Sequence, residues 1–180
     1  MLIMRKARGS IARVPVSTDT LTSSTRETLR RYRVPLVILF VLIVTPASIT
    51  YYELGLNSVN GTHPELVTAS KTANSTAATF YVTIHVWSWA GSLDTQVNEP
   101  LFSLTVDNLP FGTRVGSSGT FSPNNFISYT IAFKTADSSI AQEIRNSDTN
   151  YMVVQMSADV SAGWYHASLT KSDSHIWTFS

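Results

Sequence analysis

No cysteine occurs among the 180 residues, and that one absence removes several kinds of chemistry together. Disulfide staples, thiolate nucleophiles, iron–sulfur ligation and zinc ribbons all require the thiol. A blue-copper centre requires it too, because its trigonal geometry is His₂Cys. An electron-carrying cupredoxin is therefore excluded even for a chain that folds like one. Charge is scarce as well, but only in part of the chain: residues 54–180 hold 14 charged side chains against 34 serines and threonines. Hydroxyls therefore solvate that region, and its hydration should depend little on pH. Histidine pairs spaced H-x-H or H-E-x-x-H are also missing, and with them the local spacing that marks many metal sites.

What is present is strongly divided along the chain. Residues 1–33 carry eight basic side chains (Arg5, Lys6, Arg8, Arg13, Arg26, Arg30, Arg31, Arg33) against Asp19 and Glu27, a net of +6 within an overall +1. A basic arm that stops directly against an uncharged apolar run points to membrane orientation rather than to a nucleic-acid partner. Val34 to Tyr52 reads VPLVILFVLIVTPASITYY, nineteen residues without a charge between Arg33 and Glu53. At about 1.5 Å per residue such a helix covers roughly 28 Å, close to the hydrocarbon thickness of about 30 Å. It is longer than the apolar core of a signal peptide, which runs about 7 to 15 residues, so a retained span is expected.

Pro35 sits in the first turn, where its missing N–H costs nothing, and Pro46 marks a kink or the fraying outer end. Tyr51 and Tyr52 fall where an interfacial aromatic belt belongs. Arg30, Arg31 and Arg33 place the N-terminus in the cytoplasm by the positive-inside rule, and hence the C-terminal domain outside the cell membrane. Two sequons agree with that side: Asn60-Gly61-Thr62 and Asn74-Ser75-Thr76 make Asn60 and Asn74 glycosylation candidates. The expected organisation is a largely disordered basic arm over 1–33, a transmembrane helix over 34–52, a polar flexible stalk over 53–78, and a β domain over 79–180.

In that last region the period changes to two. FYVTIHVWSW places Phe80, Val82, Ile84 and Val86 on one face and Tyr81, Thr83, His85, Trp87 and Trp89 on the other. Further strands are expected at Leu101–Val106, Phe126–Lys134, Tyr151–Ala158, Gly163–Leu169 and His175–Phe179, with a long glycine-punctuated loop from Gly112 to Pro123. A turn at Asp159–Ala162 would join two of them as a hairpin. Asp137–Asn146 is the only helical segment expected here, capped at Asp137 or Ser138. Short strands in succession with one small helix imply an all-β fold, an antiparallel β-sandwich or open barrel.

No residue set specifies a reaction, and catalytic residues are not identifiable. His85, His166 and His175 lie on expected strands and would form a metal site only if the fold brought them together; otherwise they are ordinary strand-face histidines. Arg114, in FGTRVGSSG, is a lone cation among loop amides and hydroxyls, a cradle for a small oxyanion if those donors converge. Trp87, Trp89, Trp164 and Trp177, with Tyr81, Tyr129, Tyr151 and Tyr165, either fill a core or expose an aromatic platform for a partner or a quinone. Met152 and Met156 invite the same choice between packing and copper.

The layout of a basic arm (RRYRVPLVILF), one apolar span, a sequon-bearing stretch (NGTHPEL) and a cysteine-free β domain ending in GWYHASL and HIWTF resembles the small subunit of archaeal thiosulfate:quinone oxidoreductase. The likeness covers roughly residues 30–180 and is one of layout. It implies a heteromeric membrane enzyme that oxidises thiosulfate to tetrathionate outside the cell and passes electrons to quinone. A multi-helix large subunit and membrane lipid would be the partners, and this chain alone would bind no cofactor. Two other classes fit the same layout: a non-enzymatic cell-surface or archaellum-associated anchor, and a copper-less component resembling subunit II of a quinol oxidase.

Overall fold

In the computed structural model, which describes residues 19–179, Asp19–Asn60 form one helix, α1, containing Pro35 and Pro46. Side chains are described from Arg31 onward. The chain divides into two units, Met1–Pro46 and Ala47–Ser180. In the first, every large apolar side chain from Val34 to Ile43 is more than half exposed. A helix apolar on all sides needs a nonaqueous or protein environment around it. Within Arg31–Asn60 it is long and apolar enough to cross a membrane, with a mean hydropathy of 2.2 over its most apolar stretch. Residues 1–18 of the expected disordered arm lie outside the described residues, whereas 19–33 belong to α1.

The second unit begins with the last turns of α1 and continues through eight strands and a second helix. β1 (Thr62–Ala73), β2 (Ala78–Ser88) and β6 (Phe126–Thr135) form a three-stranded sheet in the order β1-β2-β6. β3 (Thr95–Val106), β4 (Leu109–Val115), β7 (Thr149–Ala162) and β8 (Tyr165–Thr178) form the second sheet in the order β4-β3-β7-β8, and β5 (Gly119–Phe121) also pairs with β3. All pairings are antiparallel.

The expected stalk over 53–78 is therefore a correction. Its first part finishes α1, where Val59 is fully buried, and its second part is β1, where Thr62, Pro64 and Leu66 alternate inward. Polar composition hid the strand because β1 is an edge strand, the one place in a sheet where Pro64 forfeits no ladder bond. The expected loop over 112–123 contains most of β4 and β5, and the two last expected strands are one continuous strand, β8. β8 is also an edge strand, so the polar run Lys171-Ser172-Asp173-Ser174 stays paired with β7 without being buried on both faces. The hairpin turn is at Gly163-Trp164 rather than Asp159–Ala162, with φ +57° at Gly163 supplying the left-handed first position of a type II′ turn. Between β3 and β4, Asp107 (φ 50°) and Asn108 (φ 66°) make a two-residue turn with both central positions left-handed, as type I′ requires.

One apolar core draws from both sheets. Phe80, Val82, Ile84 and Val86 of β2 and Phe102, Leu104 and Val106 of β3 are essentially inaccessible, as are Met152, Val154 and Met156 of β7. The methionines are thus core residues. Phe80 meets Phe111 edge to face, with ring centroids 5.0 Å apart at 80°.

The short helix α2 (Ser138–Asn146) has Asp137 as its N-cap: the carboxylate accepts from the amides of Ser139 (2.9 Å) and Ile140 (3.3 Å) and from the Ser139 hydroxyl (2.6 Å). The Ser139 hydroxyl above all, and then the two amides, hold the Asp137 carboxyl below the ordinary aspartate range. Because the folded value is the lower one, the cap is fully effective above about pH 3.9 and is lost as pH falls through the folded value. Asp137→Ala should abolish that part of the acid dependence, measured as amide exchange of α2 across the acidic range. Identical profiles for the two proteins would remove Asp137 from this role.

Candidate functional site

Period two along β2 sends Phe80, Val82, Ile84 and Val86 into the core and leaves Tyr81, His85 and Trp87 on the outer face, as the alternation predicts. Register does the rest. Glu65 of β1 lies opposite His85, His63 opposite Trp87, and Phe126 of β6 opposite Trp87 on the other side. His85 stacks on Phe126 with centroids 3.8 Å apart and planes 14° apart, and His63 tilts against Trp87 at 4.5 Å. Glu65, His85, Trp87 and Phe126, with Trp89, Asn124 and Asn125, line a cleft of about 410 Å³.

The cleft has apolar aromatic walls and a few polar groups, the usual makeup of a recognition site. Trp89 is 72% exposed. Among the described residues the indole N–H of Trp87 is inaccessible and meets no acceptor, as is that of Trp177 elsewhere. Chemically the cleft can stack planar or sugar-like surfaces and offer amides and one carboxylate. Glu65 and His85 stand opposite each other in register, and among the described residues they make no ion pair with one another.

Asn124, with φ +63°, turns the chain so that Asn125 and Phe126 reach this face, and the Asn125 side chain accepts from the Phe126 amide at 2.8 Å. Neither these residues nor Glu65 stood out in the sequence. The turn signal Pro123-Asn124-Asn125 directly before an aromatic strand start was the available clue.

The fold does not gather the three histidines. His85 lies on the three-stranded sheet, while His166 and His175 lie on β8, nine positions and so roughly 30 Å apart. His175 pairs with Asp173 at 3.2 Å, and the Asp173 carboxylate also accepts from the Leu66 amide at 2.8 Å. Among the described residues no three His, Cys, Asp or Glu side chains are grouped to hold a metal. Arg114 stands on β4 opposite Phe102, exposed, with its guanidinium donating to the Thr113 carbonyl at 2.9 Å. Of the loop expected around it, residues 112–115 belong to the edge strand β4, and the Gly116 amide donates to the Pro100 carbonyl at 2.7 Å.

The sequons differ sharply. Thr62 is fully buried and donates its hydroxyl to the Ser58 carbonyl at 2.9 Å, at the junction of α1 and β1. Asn74, Ser75 and Thr76 form the exposed β1–β2 turn, where the Asn74 carbonyl oxygen accepts from the Thr76 amide (2.9 Å) and hydroxyl (3.0 Å).

No family model and no curated protein matches the chain. Among solved structures, one of an Archaeoglobus fulgidus protein aligns with a TM-score of 0.37 at 10% identity, over 64% of this chain and 98% of that one. A Northeast Structural Genomics Consortium target aligns at 0.44 and 15% identity, over 67% and 88%. A Bordetella pertussis protein described as ApaA aligns at 0.44 and 10% identity, over 66% and 94%.

Proposed function

We propose that the chain is a membrane-anchored accessory subunit. α1 crosses the bilayer once, with the N-terminus in the cytoplasm, and the two sheets form a β-sandwich outside that binds a partner. The uncovered apolar stretch of α1 carries this reading. Burying a large aliphatic or aromatic side chain is worth about 1.5 to 3 kcal/mol. The nine such side chains exposed between Val34 and Ile43 therefore represent as much as the whole stability of a typical domain, about 5 to 15 kcal/mol. Lipid is the environment that satisfies such a helix, and Arg30, Arg31 and Arg33 set its direction.

The layout supports a specific assignment, the small subunit of a thiosulfate:quinone oxidoreductase. In that reaction two thiosulfates join through a new S–S bond, and the two electrons released, with two protons, reduce quinone to quinol. This chain would supply the outer domain, a multi-helix subunit the quinone site. Purification of the full chain from native membranes in mild detergent should bring down such a subunit together with thiosulfate-dependent quinone reduction. A chain that elutes alone, or that alkaline carbonate strips from the membrane, would overturn the assignment.

The aromatic walls of the cleft, with Trp89 exposed, support a second reading as a non-enzymatic surface anchor that binds a partner there. The same purification separates the two, because surface-layer or archaellum components would then co-elute, while a haem–copper subunit would indicate a quinol oxidase. In either setting Asn74 is the glycan acceptor and Asn60 is not, since the Asn60 sequon has its threonine buried. Asn74→Gln should remove the glycan mass shift from the native protein, and Asn60→Gln should leave it unchanged. The reverse pattern would contradict the assignment to Asn74.

A further inference from the structure

The β7–β8 hairpin runs beside the last turns of α1 instead of ending above them. Gly55 of α1 lies so close to the hairpin that a Cβ there would stand 2.5 Å from the Ala162 carbonyl oxygen. At the tip, Trp164 packs on Tyr51 with centroids 4.8 Å apart at 63°, and Tyr165 packs on Tyr52 at 5.4 Å and 85°. A Cβ on Gly163 would meet the Tyr51 ring at 2.7 Å, so the turn is seated on that ring. Trp164 nevertheless stays 66% exposed, and Tyr51 and Tyr52 are 37% and 47% exposed.

The junction is stiff. The Ser58 hydroxyl accepts from the amides of Ser92 (2.9 Å) and Leu93 (3.1 Å), and the Ser88 hydroxyl donates to the Ser58 carbonyl at 2.8 Å. These bonds tie the last turns of α1 to the β2–β3 connection within the second unit. Val34 to Tyr51 spans roughly 26 Å of helix, nearly a hydrocarbon thickness. A bilayer around the apolar run thus ends close to Tyr51.

We infer that the tip of the β7–β8 hairpin is a lipid-contacting element, with Trp164 seated in the headgroup layer beside Tyr51 and Tyr52. The inference rests on α1 being a membrane anchor. Indole and phenol rings favour that layer because one end is apolar and the other hydrogen-bonds to water and headgroups. Segments 47–62 and 161–166 contain no lysine or arginine, so attraction to anionic lipid contributes nothing. Trp89 follows Ser88, whose hydroxyl bonds Ser58 seven helical residues or roughly 10 Å farther along α1 than Tyr51, and stays out of the lipid.

The test uses the full chain in phosphatidylcholine liposomes whose acyl chains are brominated near the headgroup, with tryptophan emission as the readout. Wild-type emission should be quenched, Trp164→Phe should lose most of the quenchable fraction, and Trp89→Phe should keep it. Both substitutions are at exposed positions and preserve an aromatic ring. Adding phosphatidylglycerol should not change the result. Quenching that persists in Trp164→Phe, or that disappears in Trp89→Phe instead, would overturn the inference. Absence of quenching in a chain that still resists alkaline carbonate would overturn it while leaving the anchor intact. Extraction by carbonate would remove the anchor itself. If Trp164 is unquenched by lipid yet shielded from chemical modification in native membranes, the face belongs to a protein partner and not to lipid.

Discussion

Phe80→Ala should destabilise the β domain by about 3 to 5 kcal/mol, the range for a large aromatic removed from a packed core. At roughly 3 to 4 °C per kcal/mol for a domain of this size, the melting temperature should fall by about 10 to 20 °C. Phe80 is fully inaccessible on the central strand of its sheet, and its ring contacts Phe111 of the other sheet edge to face and Phe179 at 5.8 Å. Alanine would leave a void that neither sheet can close without breaking its own ladder. Thermal unfolding of the full chain in detergent, followed by the circular dichroism of the strands, measures the effect. A loss below about 1 kcal/mol, the level of an ordinary surface substitution, would mean that the two sheets do not close over this ring.

Lys71→Met should cost about 2 to 4 kcal/mol, through hydrogen bonds and not through volume. The Lys71 ammonium donates to the carbonyls of Ile144 (3.1 Å) and Ser147 and to the side-chain oxygen of Asn150 (3.4 Å), and it lies 5.1 Å from the centre of the Phe179 ring. It thereby satisfies the carbonyl end of α2, where a cation also complements the helix dipole. The network continues inward. Asn150, fully buried, donates to the Asp107 carboxylate at 2.6 Å, and that carboxylate accepts from the Tyr151 amide at 2.7 Å. Methionine keeps the length and apolar stem of lysine but takes this donor away from the Ser147 carbonyl and the Asn150 side-chain oxygen, and leaves the Ile144 carbonyl only the Ser147 amide at 3.4 Å. Amide exchange should accelerate in α2 while the β7–β8 ladder stays protected. Unchanged exchange in α2 would show that the helix end does not depend on this lysine.

These two residues also mark the boundary between what could and could not be read along the chain. Phe80 was legible because β2 is buried on one face and half-covered on the other, so its apolar residues recur every second position. The same holds for β3, β6 and β7, and α2 was legible because Asp137 caps it locally. Lys71 was not, since its partners come from α2 and β7 and its own strand is a polar edge bearing Pro64. The aromatic cleft was half legible. His85, Trp87 and Trp89 share a face by alternation, but Glu65, Asn125 and Phe126 join them only through the register of β1 and β6. His85, His166 and His175 illustrate the opposite case, residues alike in type that strand order keeps apart.

The amino-acid sequence by itself determined the apolar helix, the four strands with apolar residues at every second position, the capped short helix and the absence of any thiolate chemistry, because each depends on composition or on a period within one segment. Only the tertiary structure decided that the polar stretch after the helix is a strand and not a tether. It also decided that Trp164 meets Tyr51 and that the histidines are scattered. Those outcomes depend on which strands pair and in what register, and pairing between segments far apart in the chain leaves no local pattern to read.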